Sequence, residues 1–149
     1  MNKTLGVISV KVYISAKQIK KRGNQVSAIP YELRTVPDTL RQLISILVSD
    51  SVDSYNQRLL AKEETTYLAK DEIDAMSQVG KIGFGIPFGS RAANFQDALE
   101  TALQGFEDGL YRVFIGEREI ESLDAAMELH EEDTITIIRL VMLTGGFFW

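Results

Sequence analysis

Ile8, Val10, Val12 and Ile14 alternate with Ser9, Lys11 and Tyr13 near the start of the chain. A period of two lays one apolar face against a core, so this stretch is predicted as a half-buried strand. Lys20-Lys21-Arg22-Gly23-Asn24 is a polar, glycine-containing connection. Residues 27–33 are predicted as a second strand, with Pro30 marking an edge or an irregularity. The chain thus opens with a hairpin. Pro37-Asp38 then signals a helix start, Asp38 being able to cap the free N–H groups of the first turn. Leu40, Leu43, Ile44, Leu47, Val48, Tyr55 and Leu59 follow near helical spacing. Ser49-Asp50-Ser51 weakens the middle, so one long helix or two shorter ones are both compatible with the pattern. Residues 62–79 are charged and less regular, and Asp71-Glu72 can begin a short helix with Ile73 and Met76 inward.

The stretch G-K-I-G-F-G-I-P-F-G-S, residues 80–90, is the glycine-rich segment of the chain. A phosphate loop is one reading, but Ile82 stands where Ser or Thr would follow Gly80-Lys81. With Ile82, Phe84, Ile86 and Phe88 interleaved, the segment is expected to be an apolar loop lying on the body of the protein. Asn94 can cap a further helix, with Phe95, Ala98, Leu99, Ala102, Leu103 and Phe106 as its apolar stripe. Gly105 or Gly109 ends it. Residues 110–115 read as a buried strand, Gly116-Glu117 as a turn and Glu119-Ile120 as a short return strand. Residues 123–129 are a compact excursion predicted to contain a helical turn. The last strand, 134–142, places Ile135, Ile137, Arg139 and Val141 on one side and Thr136, Ile138, Leu140 and Met142 on the other. Apolar residues on both sides predict a central strand covered on both faces or nearly so.

At 149 residues and 16.7 kDa, without repeats or a Pro/Ser-rich linker, the expectation is one domain. Residues of about 60–93 are read as an elaboration on it and 144–149 as a flexible C-terminal tail. A formal charge of −5 argues against a nucleic-acid binder that works by phosphate neutralisation. No cysteine is present, which removes disulfides, thiolate metal sites and cysteine nucleophiles. Met1-Asn2-Lys3-Thr4 leads straight into strand pattern rather than a signal peptide. No apolar run approaches bilayer length. A cytoplasmic protein without membrane partners is expected.

Candidate chemistry is sparse. His130, the single histidine, is flanked by Glu128, Glu131, Glu132 and Asp133. Such an acidic run entering a strand is usually a solvated turn, and one histidine makes a poor transition-metal set. No nucleophile elbow and no paired-carboxylate motif stand out. No catalytic residue, metal or cofactor is assigned, and an enzyme is not expected.

The order is hairpin, helix, elaboration, strand, short strand, excursion, long strand. Its last part, Y-R-V-F-I-G-E-R-E-I-E-S-L-D-A-A-M-E-L-H-E-E-D-T-I-T-I-I-R-L-V-M-L-T-G-G, resembles the second half of ubiquitin and its relatives. The resemblance covers residues 110–146 and, more loosely, 5–48; between about 49 and 109 the chain departs from the family. It implies an α+β, ubiquitin-like β-grasp fold: a mixed sheet around a helix, with an inserted helical or loop segment. Two helices here are candidates for the grasped one. It further implies a protein modifier precursor, cleaved after Gly145-Gly146 and conjugated through the Gly146 carboxylate. Phe147, Phe148 and Trp149 would be the removed tail. The implied partners are activating-enzyme, conjugating-enzyme and zinc-peptidase homologues and target proteins. Similar modifiers occur in bacterial operons, some serving defence against phage.

Apolar and basic residues on the sheet face recruit partners in such proteins, which makes Arg139, Met142 and Leu143 candidates for partner binding. The competing reading of Arg139 is a solvated cross-strand ion pair. Met142, Leu143 and Thr144 stand where ubiquitin is arginine-rich, which points to a dedicated activating enzyme. The alternative function is a non-conjugated β-grasp interaction module whose three terminal aromatics make an assembly contact and build a homo-oligomer.

Overall fold

The period-two pattern at the start of the chain becomes β1 (Val10–Gln18), whose Val10, Val12, Ile14 and Ala16 are all buried. This computed structural model describes residues 9–19, 25–64, 75–88 and 93–140. β2 (Gln25–Leu33) pairs antiparallel with β1 and lies at the edge of the sheet, where Pro30 needs no partner for its missing N–H. The register shifts between Ile14 and Ala16, and there the Ala28 N–H donates to the Ser15 hydroxyl at 2.8 Å.

One continuous helix, α1 (Leu40–Glu64), follows. Its start is set by Thr39, whose hydroxyl accepts from the Gln42 N–H at 3.3 Å, while the Gln42 side chain accepts from the Asp38 N–H at 2.7 Å. The cap is therefore Thr39 rather than the expected Asp38, with Gln42 reaching back one residue beyond it. The polar triplet does not break the helix, because its side chains find distant partners. Ser51 donates to the Met76 carbonyl at 3.0 Å, and the Tyr31 hydroxyl donates to Asp50. They thus do not compete for their own helix backbone.

The glycine-rich segment departs most from expectation. Residues 75–78 are helical and run into a π-helical turn, Val79–Phe84, closed by Gly85 at φ +73°. Val79, Gly80, Ile82, Gly83 and Phe84 are buried. The turn is a wedge inside the core, touching β1, the last strand and α1, and not a loop laid on the outside. Glycine permits the approach. A Cβ on Gly80 would fall 2.8 Å from Ser51 Cβ, and one on Gly83 would fall 3.0 Å from Ile137 Cγ2.

α2 (Phe95–Glu107) begins as expected at Asn94, whose side chain accepts from the Asp97 N–H at 2.9 Å. Gly109, at φ +75°, turns the chain into β3 (Tyr111–Ile115) and, through Gly116, β4 (Arg118–Ile120). The excursion 123–129 holds a turn rather than the expected helical one, and backbone bonds stitch it to the start of α1. The Arg41 N–H donates to the Leu123 carbonyl and the Met127 N–H to the Asp38 carbonyl, while Thr39 and Ala126 form an isolated bridge. β5 (Thr134–Arg139) then enters between β1, parallel to it, and β3, antiparallel to it.

The result is an α+β fold with a five-stranded mixed sheet in the order β2-β1-β5-β3-β4. α1 brings Leu40, Leu43, Ile44, Leu47, Val48 and Val52 to the core; α2 brings Ala98 and Ala102. Burying each large aliphatic side chain contributes about 1.5–3 kcal/mol, so α1 is the principal cover of the sheet. β5 is central, as its pattern predicted, but only one of its faces is buried. Ile135, Ile137 and Arg139 lie inside, whereas Thr136 and Ile138 stay partly exposed and Leu140 is 37% exposed.

Candidate functional site: the open sheet face and the end of β5

Strand parity builds the open face. Opposite the buried set, β1 presents Lys11, Tyr13, Ser15 and Lys17, β3 presents Arg112 and Phe114, and β5 presents Thr136 and Ile138. The registers align them in rows: Ser15, Thr136 and Phe114 across the middle, Lys17, Ile138 and Arg112 beside them. Apolar Phe114, Ile138 and Tyr13 alternate there with the hydroxyls of Ser15 and Thr136. The flanking charges are of both signs, with Glu32 beside Lys11 and Glu119 beside Phe114, and none of these residues is buried. Lys11 Nζ lies 5.6 Å from the centroid of the Tyr13 ring, a contact worth about 0.5–1 kcal/mol at an exposed position. Arg112 and Glu119 approach to 3.7 Å, too exposed a pair to fix much. Nothing in the sequence pattern singles out Tyr13, Phe114 and Ile138 as a surface; the apolar outer position of β5 is the one signal, and by pattern alone it is indistinguishable from a second buried face.

Arg139 sits on the other side. It shares the parity of Ile135 and Ile137 and is 3% exposed, so the competing reading, a solvated cross-strand ion pair, does not hold. Nor does its guanidinium reach the open face where partners would touch it. Nη1 points to the Gly83 carbonyl at 3.5 Å and Nε has no hydrogen-bond partner. Burial holds its pKa below the usual guanidinium value. Opposite it in β3, Tyr111 donates its hydroxyl proton to the Ala102 carbonyl at 2.6 Å, and burial pushes that phenol well above its ordinary range. Met142, Leu143, Gly145, Gly146, Phe147, Phe148 and Trp149 lie outside the described residues.

A groove of about 860 Å³ runs between the β2 edge and α1, lined by Ile29, Tyr31, Ile46, Asp50, Asp53 and Met76 among others. Burial, and then the neighbouring Asp53, raise the pKa of Asp50. His130 is an exposed turn residue whose backbone N–H donates to Asp133 at 2.8 Å. Among the described residues no group of three or more His, Asp or Glu side chains is arranged to hold a metal ion. Also among them, no helix is long and apolar enough to cross a membrane. Comparisons with protein-family models, curated proteins and solved structures found no match for this chain.

Proposed function

We propose that the chain is a ubiquitin-like β-grasp protein modifier with an inserted helical segment, made as a precursor. The observation that carries this reading is the sheet order β2-β1-β5-β3-β4, with β1 and β5 parallel neighbours, α1 across one face, and Gly145-Gly146 soon after the end of β5. A zinc-peptidase homologue hydrolyses the Gly146–Phe147 bond, leaving a carboxylate on Gly146 and an amine on the released tail. An activating-enzyme homologue joins that carboxylate to the AMP portion of ATP with loss of pyrophosphate. A thiol then displaces AMP, and a target amine displaces the thiol. Two glycines suit a chain that must thread a narrow catalytic channel in extended form. In this chemistry the protein is substrate, not catalyst.

The open face supports the same reading, because Phe114, Ile138 and Tyr13 among polar and charged neighbours offer cognate enzymes an accessible apolar patch with a polar rim. The departure at Met142, Leu143 and Thr144 makes those enzymes dedicated ones. The test is the intact mass of the full chain after incubation with the proposed zinc-peptidase homologue. The mass should fall by residues Phe147–Trp149. An unchanged mass would favour the alternative, an uncleaved module that assembles through those aromatics.

A further inference from the structure

The solvent side of α2 borders a groove of about 700 Å³, lined by Asp97, Glu100, Leu103 and Glu107 of the helix and Leu123 of the excursion, among others. Leu123 is buried and Leu103 half-buried, whereas the three carboxylates are exposed, so the leucines form the floor and the acids the rim. None of these carboxylates has an ion pair among the described residues, and α2 contains no Lys or Arg. Arg41, which also lines the groove, is already held by Asp124 at 3.0 and 3.1 Å. The helix belongs to a stretch of one sign, because residues 93–133 hold twelve Asp and Glu against two Arg. An apolar floor under a negative rim fits a surface that is apolar and basic.

Such a surface lies on the same molecule. Where β1 and β5 finish, Lys17 and Ile138 pair across the register on the open sheet face. Ile19 and Leu140 follow with the same parity, and the Ile19 N–H continues the pairing by donating to the Arg139 carbonyl at 3.0 Å. Ile19 is 39% exposed and Leu140 37%, two of the four large apolar side chains left exposed among the described residues. Lys17 is exposed and has no ion pair among those residues, while Arg112, beyond Ile138, approaches Glu119. Charge divides along the chain in the same sense: residues 1–34 carry seven Lys and Arg against one Glu. Because α2 packs Ala98 and Ala102 into the core against the inner side of the sheet, the two surfaces face apart and cannot meet within one chain.

We propose that a second copy of this chain occupies the α2 groove, its Ile19 and Leu140 covering Leu103 and Leu123 while its Lys17 enters the field of Asp97, Glu100 and Glu107. Two different surfaces make this contact, so it is heterologous, and copies add head to tail into a ring or an open chain. The charged rim steers the encounter and fixes its orientation, and the apolar centre supplies the burial. The contact uses neither Gly146 nor Phe147–Trp149. It is therefore independent of cleavage and conjugation, and separate from assembly through the terminal aromatics.

The test is sedimentation velocity of the full chain over a range of concentrations. Association should grow with concentration at about 50 mM NaCl and fall sharply at about 500 mM, where the Debye length shrinks to roughly 4 Å. Lys17→Glu and Glu100→Lys, both at exposed positions, should each weaken association about tenfold or more and leave the circular dichroism spectrum unchanged. The deciding arm mixes the two variants in equal amounts. Either variant alone sets like charges together at every contact, whereas the mixture again allows opposite charges to meet at every contact. The mixture should therefore associate as the native chain does, and the chain ending at Gly146 should behave like the full one. Four results overturn the proposal: a monomer at every concentration, association indifferent to salt or to both substitutions, a mixture no better than its components, or association lost with Phe147–Trp149.

Discussion

Replacing Gly80 with alanine tests whether the glycine-rich segment is a wedge in the core. The new Cβ would lie 2.8 Å from Ser51 Cβ, 3.0 Å from Ser51 Oγ and 3.2 Å from Ile86 Cδ1. Carbon atoms prefer about 3.5–4.0 Å, so α1 and the turn must part by roughly 1 Å. Ser51 cannot swing away, because the clash is with its Cβ and because Oγ is bonded to the Met76 carbonyl. Overpacking of this kind costs about 1–3 kcal/mol, against which alanine regains up to about 1 kcal/mol of helix propensity over glycine. A net loss of about 1–2 kcal/mol is expected. Equilibrium urea unfolding followed by circular dichroism measures it as a lower midpoint at unchanged m-value. Ser51→Gly removes the two closest of these three atoms, leaving Ile86 Cδ1. The double variant Gly80→Ala/Ser51→Gly should therefore lose less than the two single losses added, with a coupling of about 1 kcal/mol or more. A neutral or stabilising Gly80→Ala, or strict additivity, would refute the wedge and return the segment to the surface.

Three other outcomes follow from the same geometry. Gly85→Ala places an L-residue at φ +73° against the Arg139 guanidinium, and its thermal midpoint should fall by the equivalent of about 1–3 kcal/mol. Asp50 has a folded pKa raised by burial and by Asp53. The native state therefore holds the proton more tightly than the unfolded chain, and stability conferred at low pH is lost as pH rises through the raised value. Asp50→Asn should abolish that dependence in urea midpoints measured from about pH 3 to pH 7; a slope unchanged in the variant contradicts the assignment. On the open face, Phe114→Ala and Ile138→Ala should leave the circular dichroism spectrum intact. Each should weaken binding to the cognate activating enzyme by at least about tenfold, or 1.4 kcal/mol, while substitutions of exposed residues on α2 leave binding unchanged.

What could be read from the residues was what depends on neighbours in sequence. β1, the Asn94 cap, the β3–β4 turn at Gly116 and the central place of β5 follow from alternation, capping chemistry and turn residues within a few positions. What could not be read depends on distant partners. Ser49-Asp50-Ser51 looks like a helix breaker until Met76 and Tyr31 supply its hydrogen bonds. The alternation of Ile82, Phe84, Ile86 and Phe88 suggests a loop, because only the opposing surface of Ser51, Ile137 and Ala16 shows what Gly80 and Gly83 make room for. Thr39 displaced Asp38 as the cap by a single residue, the ordinary scale of error at a helix end. Arg139 was assigned by family pattern to the partner-binding face, although its own parity with Ile135 and Ile137 placed it inside. The functional proposal draws on both levels, with the sheet order coming from the fold and Gly145-Gly146 from the sequence.

The central claim is that the Gly146 carboxylate becomes covalently attached to other molecules. The direct measurement incubates the chain ending at Gly146 with the proposed activating-enzyme and conjugating-enzyme homologues and ATP, followed by peptide mass spectrometry of the products. The account predicts a bond from the Gly146 carbonyl carbon to an enzyme thiol or a target amine. The bond should require ATP and vanish when the chain retains Phe147, Phe148 and Trp149. Active enzymes that leave the Gly146 carboxylate free would contradict it.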